Sequence, residues 1–222
     1  MGYRIDLHTH SYGSPDGGLK TVNYRYFLQN KLLDYIAITD HGQIDMAMRI
    51  KQELGELGER IIIGQEVMTT EGEIIGLYLT AKITDGLSPE ETIRCITAQK
   101  GLIYIPHPFE TVRSGLSEAV AQSIIRSIDI VETHNGRAVF QNRSKQACAF
   151  ATQNQLARAA SSDAHGRFGW GQTYSVIEHV PTRENLAREL ENAAYSTRTV
   201  GWGVTYPKLN RLKKKLRKGA KA

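Results

Sequence analysis

Cysteine is scarce, acid is missing from one end, and nowhere do apolar residues run long enough to leave water. The 222 residues include two cysteines, Cys95 and Cys148, each inside a helix-like segment and with no CxxC spacing. That argues against a disulfide framework or a thiolate metal cluster and reads as a pair of buried, reduced thiols. No stretch approaches the roughly 20 apolar residues of a membrane span. The start, MGYRIDLHTH, lacks the basic opening, apolar run and small-residue cleavage site of a secretory signal, so a cytoplasmic protein is expected. Low-complexity linkers and internal repeats are also missing. With 41% hydrophobic content, the length suits one domain around one sizeable core.

The net charge of +5 is unevenly placed. From Lys208 onward there are eight cations and no acid, which leaves residues 1–207 with 20 cations against 23 acids, a mildly acidic body. The chain therefore divides into a body over 1–207 and a basic helix or tail over 208–222. In that tail Leu209, Leu212 and Leu216 recur at helical spacing, which predicts a leucine face packed on the body with the lysines in water. A grip on a nucleic-acid backbone or another anionic surface is the alternative use of the same charges.

Along the body, short β-rich runs alternate with amphipathic helical stretches: YRIDLH, DYIAITDH, RIIIGQEV, EIIGLYLT, GLIYIPHP, DIVETHN, ARAASSDAH and QTYSVIEHV are the strands. Ser88-Pro89-Glu90-Glu91 opens one of the helices, with a cap, a first-turn proline and acids at the positive end of the dipole. The alternation predicts an α/β architecture with a largely parallel sheet.

Six of the seven histidines fall at strand ends: His8 and His10 on the first, His41 on the second, His107, His134 and His165 on later ones. Glu66 and Asp163 fall there too, and Asp16 sits on the loop after the first strand. His179, beside Val180-Pro181, reads as a surface or packing residue. In a closed or nearly closed parallel barrel these ends converge on one face, where barrel enzymes place their chemistry. Side chains two apart on a strand share a face, so His8-x-His10 and Asp163-x-His165 each aim two groups at one place. Nitrogen and oxygen ligands without sulfur suit Zn, Mn or Fe. Nine candidates exceed the three or four that one ion takes from a protein, which points to two or three divalent ions. Asp6 reads as a partner behind the ligands. Asp40 reads either that way or as a turn residue.

The strings HTH, TDHG, GQEV, IPHP, ETHNGR and SDAHG, in this order from Asp6 to about Gly171, resemble the motifs of the polymerase-and-histidinol-phosphatase (PHP) superfamily, and among its members the short stand-alone phosphoesterases. The resemblance implies a distorted (β/α)7 barrel with a two- or three-metal centre that hydrolyses phosphoesters. It implies His8, His10, Glu66 and Asp163 as ligands of one ion. Asp16, His41 and His165 are implied as the second and catalytic set, and Glu66, His107 and His134 as a third set, with Glu66 bridging. Metal-activated water needs no side-chain nucleophile, so Ser161-Ser162-Asp163 is not read as a serine triad. An amidohydrolase also starts with HxH, but no lysine here closes a predicted strand. A scaffold with a vestigial site would lack ligands, and the set is complete.

Arg113, Arg137 and Arg167, each just beyond a ligand-bearing segment, are the candidates for binding phosphate. Tyr12, Phe109, Phe168 and Trp170 lie on predicted loops, either to stack on a base or as lid and packing. The expected substrate is a small phosphorylated metabolite or nucleotide, such as a nucleoside bisphosphate. The alternative is a nuclease or end-trimming phosphoesterase that holds nucleic acid through its basic tail.

Overall fold

A computed structural model describes residues 2–219; positions 220–222 of the expected basic tail lie outside the described residues. Strands β1 (Tyr3–Asp6), β2 (Tyr35–Ile38), β3 (Ile61–Thr69), β4 (Gly72–Leu77), β5 (Leu102–Ile105), β6 (Ile130–Asn135), β7 (Ala157–Ser161), β8 (Thr173–Ile177) and β9 (Ala194–Thr197) form one sheet. Its order is β7-β6-β5-β4-β3-β2-β1-β8-β9. The two arms of the sheet curl toward each other. His10 N–H donates to the Ala164 carbonyl at 2.9 Å beyond the ends of β1 and β7, and Leu7 N–H reaches Ser161 Oγ at 3.3 Å. This nearly closed barrel bears out the expected α/β barrel class.

The pairs β1–β2, β2–β3, β5–β6 and β6–β7 are parallel. β4 runs antiparallel to both neighbours, because only Thr70 and Glu71 separate it from β3 and so short a link forms a hairpin. β8 and β9 add an antiparallel ribbon beside β1.

Helices α1 (Thr21–Gln29), α2 (Asp45–Leu54), α3 (Pro89–Ala98), α4 (Glu118–Ser123), α5 (Ser144–Gln153) and α6 (Leu186–Glu191) follow strands, as the alternation predicts. α3 starts where its sequence says. Ser88 Oγ accepts from Glu91 N–H, and the Glu91 side chain accepts from Ser88 N–H, a reciprocal capping box behind Pro89. Inside the barrel, Ile5, Leu7, Ile75, Leu77, Tyr104 and Ile130 are fully buried and set the strand registers. Cys95 and Cys148 are free and half-buried rather than fully enclosed.

The final helix, α7 (Tyr206–Gly219), corrects one expectation. Its polar side faces the body. Asn210 Nδ2 donates to the carbonyls of Asp16 and His165 at 2.8 and 2.9 Å, and Lys214 Nζ donates to those of Tyr12 and Ser14. Leu209, Leu212 and Leu216 face solvent instead. The loop over residues 11–17 presents outward-pointing carbonyls and a carboxylate, and these select cations and amides where leucines would leave them unpaired.

Candidate metal centre

The residues at the C-terminal strand ends do meet. Glu66 stands at the middle. Its Oε2 lies 3.4 Å from His8 Nε2, 3.2 Å from His10 Nε2 and 3.4 Å from His41 Nδ1, and its Oε1 lies 3.1 Å from His107 Nε2. Asp163 faces it from β7's exit, with Oδ1 at 3.6 Å from His8 Nε2, 3.3 Å from His10 Nε2 and 3.4 Å from His165 Nδ1. Asp16 reaches the cluster from its loop, with Oδ1 at 3.5 Å from His165 Nε2 and 3.8 Å from His41 Nε2. The loop comes close enough only because residue 17 is glycine: a Cβ there would fall 1.9 Å from the Ser11 carbonyl oxygen. Ser14 Oγ accepts from His41 N–H and lies 3.2 Å from His10 Nδ1. Asp163 and His107 hold positive φ angles of 51° and 28°, strained backbone of the kind found where a site dictates side-chain direction.

Four groups of these side chains bring ligating atoms within 4.8 Å of one another: His10-Asp16-His41-His165, His8-His10-Glu66, His8-His107-Asp163 and His41-Glu66-Glu73. The chemistry of the donors fits divalent cations. His8 Nε2 and His10 Nε2 face each other at 3.1 Å, and Asp16 Oδ1, His107 Nδ1 and His165 Nε2 are buried with no hydrogen-bond partner among the described residues. Charge is finely balanced in this space. Burial disfavours a charged His10, yet Asp163 and Glu66 hold its pKa up at about 9. Burial, with His10 and Arg137 alongside, pushes His165 down to about 3. Burial, then Glu66 and Asp163 nearby, lift Glu73 to about 9. Burial also opposes the Asp16 carboxylate, but His165, His10 and His41 keep it below the ordinary range.

Two expected site residues stand elsewhere. His134 does not join the cluster. A bulge in β6 between Glu132 and His134 turns its ring away, to stack at 5.9 Å on Tyr195 beside Arg158. Arg167 is exposed, and among the described residues no hydrogen bond or ion pair joins it to the cluster. Arg113 and Arg137 do reach the site, with Nη1 atoms 2.6 and 3.2 Å from Asp163 Oδ2. Trp170 takes the packing alternative. It is 5% exposed, stacks at 4.0 Å on Phe27, and its Nε1–H donates to Asp6. Phe109 is likewise buried, while Tyr12 lies under the Lys214 ammonium at 4.4 Å.

Asp6 also accepts from Ser162 N–H and Oγ–H, tying β1 to the segment that carries Asp163. Asp40 accepts from Ser11 and Gln43, holding the Asp16 loop. His179 is exposed and pairs with Glu189.

Three carboxylates at the site stand outside the residues expected from sequence. Glu132 Oε1 lies 3.1 Å from His8 Nδ1, so the imidazole donates there and turns its Nε2 lone pair to the centre. Asn135 Nδ2 donates to Glu132, and Glu110 pairs with Arg113. Glu73, on β4, lies 3.7 Å from both His41 and His107. Glu73 shares the face of Glu66 through its cross-strand partner Met68, a link that appears only when β3 is carried on to Thr69, and Glu132 lies two residues before His134 and shares its strand parity.

The family model for the PHP domain matches residues 6–169. The chain belongs to the PHP domain family. This PHP domain is 34% identical over 149 residues to the uncharacterized protein MJ1587 of Methanocaldococcus jannaschii, a match spanning 63% of this chain and 87% of that one. Its fold is like that of a two-domain protein of Bacteroides vulgatus containing a predicted PHP-like metal-dependent phosphoesterase (TM-score 0.71, 16% identity). That match covers 89% of this chain and 65% of the other, so the PHP domain here spans under two thirds of its length. It is also like the lesion-specific endonuclease EndoQ of Pyrococcus furiosus (TM-score 0.65, 16% identity), covering 88% of this chain and 58% of that one.

Proposed function

We propose that this PHP domain is a metal-dependent phosphoesterase that hydrolyses the phosphomonoester of a small metabolite or nucleotide. The observation that carries the reading is the position of Glu66, one carboxylate within 3.4 Å of nitrogens from four imidazoles. His8, His10, Glu66 and Asp163 would hold one ion, and Asp16, His41 and His165 a second. Glu66 and His107 would hold a third, with Glu73 in the role that His134 is not placed to fill. Divalent ions bound there supply a water of lowered pKa and Lewis-acid stabilisation of phosphate oxygens.

The protein's own groups prepare the rest. Hydrolysis adds a water oxygen to phosphorus, breaks the ester P–O bond and sends a proton to the departing alcohol. Glu132 keeps His8 in the tautomer that ligates. The cavity over the cluster measures about 460 Å³, and Arg113, Arg137 and Arg211 line it. Arg137 lines the cavity, its Nε has no hydrogen-bond partner among the described residues, and its guanidinium suits a phosphate oxygen. Arg211, delivered by α7, has Nη2 at 2.7 Å from Asp16 Oδ2 while most of its side chain is open to the cavity, so it can meet a further anionic group of the substrate. Lys214 and Arg217 bond inward to the Asp16 loop and Arg211 lines the cavity over the cluster, so these three cations are turned from a nucleic-acid backbone, which favours the small substrate.

The test is turnover of phosphomonoesters, nucleoside bisphosphates, phosphodiesters and short RNA or DNA with Mn²⁺ or Zn²⁺ added. Preference for phosphomonoesters is expected. Cleavage of oligonucleotides alone would establish the nuclease instead, and no turnover of any of them would refute the hydrolase reading.

A further inference from the structure

We infer that the outward face of α7 is a docking surface for an anionic lipid membrane. At 3.6 residues per turn, Leu209, Leu212 and Leu216 fall within an arc of about 60° on this helix. They are 45%, 54% and 65% exposed. Asn210, Arg211, Lys214 and Arg217 point the other way and are bonded to the body, so the helix is fixed in orientation with its leucine stripe outward. Lys208 and Lys215 border the stripe on one side and Lys213 on the other, all three exposed. Trp202, in the short turn just before the helix, is 80% exposed.

Charge complementarity chooses the occupant. A leucine strip between lysines lets the leucines enter the acyl boundary while the ammonium groups stay among anionic headgroups. A second copy of this chain would set lysine rows against lysine rows. A nucleic-acid backbone would meet leucines at the centre of the contact, since the cations that could replace them are committed to the Asp16 loop. An acidic protein groove would match the charges, but a helix already locked along one side offers a ridge with lysines on both flanks, which a flat, uniformly anionic surface matches without any shaped cleft.

The full-length protein is mixed with vesicles of phosphatidylcholine and with vesicles of phosphatidylcholine and phosphatidylglycerol, and bound protein is measured by flotation. Binding to the anionic vesicles only, weakened by salt, is expected. The triple variant Leu209→Ser/Leu212→Ser/Leu216→Ser should lose at least tenfold in affinity, and Leu212→Ser alone a smaller part, with hydrolytic activity and melting temperature unchanged.

Failure of the wild type to bind anionic vesicles would overturn the inference and leave an acidic protein as the occupant to seek. Equal binding by the triple variant would also overturn it, because charge alone would then be responsible. A leucine-dependent dimer by light scattering, without vesicle binding, would assign the stripe to a second copy.

Discussion

At the scale of single residues, the side chains proposed as ligands differ from neighbours of the same type in where they point. Glu132→Gln should keep the fold but lower metal affinity by about 10–100-fold, the usual loss when the partner that orients a ligating histidine is removed. His134→Ala should leave metal content and rate close to wild type, since its ring faces Tyr195; metal analysis and steady-state rates check both. Protonation supplies a second check. His10 is held near 9 in the folded chain against an ordinary 6.5. Its charged form therefore stabilises the metal-free protein fully below about pH 6.5, and that contribution is lost as pH rises through about 9. Metal binding runs the opposite way, because the imidazole must shed its proton to ligate, so affinity should climb with pH up to about 9. Titration calorimetry in buffers of different ionisation enthalpy reads the released protons. Strand-end position and HxH or DxH spacing made the meeting of eight of the nine candidate side chains at one mouth legible. His134 was misread because a one-residue bulge reverses facing and leaves no mark in composition. Glu73 has no strand-end signal of its own and joins the site only through its pairing with Met68, beyond the end of the RIIIGQEV run.

Among the elements, eight of the nine strands and the capped helix α3 were readable because alternation, turn residues and Ser88-Pro89 all agree, whereas β9, a short edge strand paired only with β8, has no such signal. The side of α7 that packs was not readable. Periodicity identifies an apolar stripe, but whether it turns inward depends on what the body offers, and here the body offers the carbonyls of Tyr12, Ser14, Asp16 and His165. Arg211→Ala should lower kcat/KM on the preferred phosphomonoester by about tenfold, the scale of one charge-assisted contact, with metal content unchanged. The segment after β7 has a structural anchor in Trp170. Trp170→Ala removes a buried ring stacked on Phe27 and the donor to Asp6, and should cost about 3–5 kcal/mol. Thermal melting would show it as a drop of roughly 6 °C or more, at about 2–4 °C per kcal/mol in a domain of this size.

For the whole molecule, the barrel exists to bring groups from distant parts of the sequence to one mouth: His8 and Asp163 are 155 positions apart and within 3.6 Å. Several carboxylates and imidazoles enclosed together are costly without compensating cations, so the fold and the ions are linked. Loading with Mn²⁺ or Zn²⁺ to 100 times the dissociation constant should add about 2.7 kcal/mol of stability for each ion bound. The convergence was foreseeable from strand–helix alternation and the strand-end placement of the histidines and carboxylates, whereas the cavity's size and its third arginine depend on a helix whose docking no local pattern specifies. The central claim is that this mouth binds divalent ions that drive phosphoester hydrolysis. Its most direct test strips the protein with chelator, reloads it stepwise and measures phosphomonoester turnover against ions bound per chain. The account predicts a stripped protein without activity and a rate that rises to a plateau at two or three ions. A stripped protein as fast as the loaded one, or one that binds no ions, would contradict it.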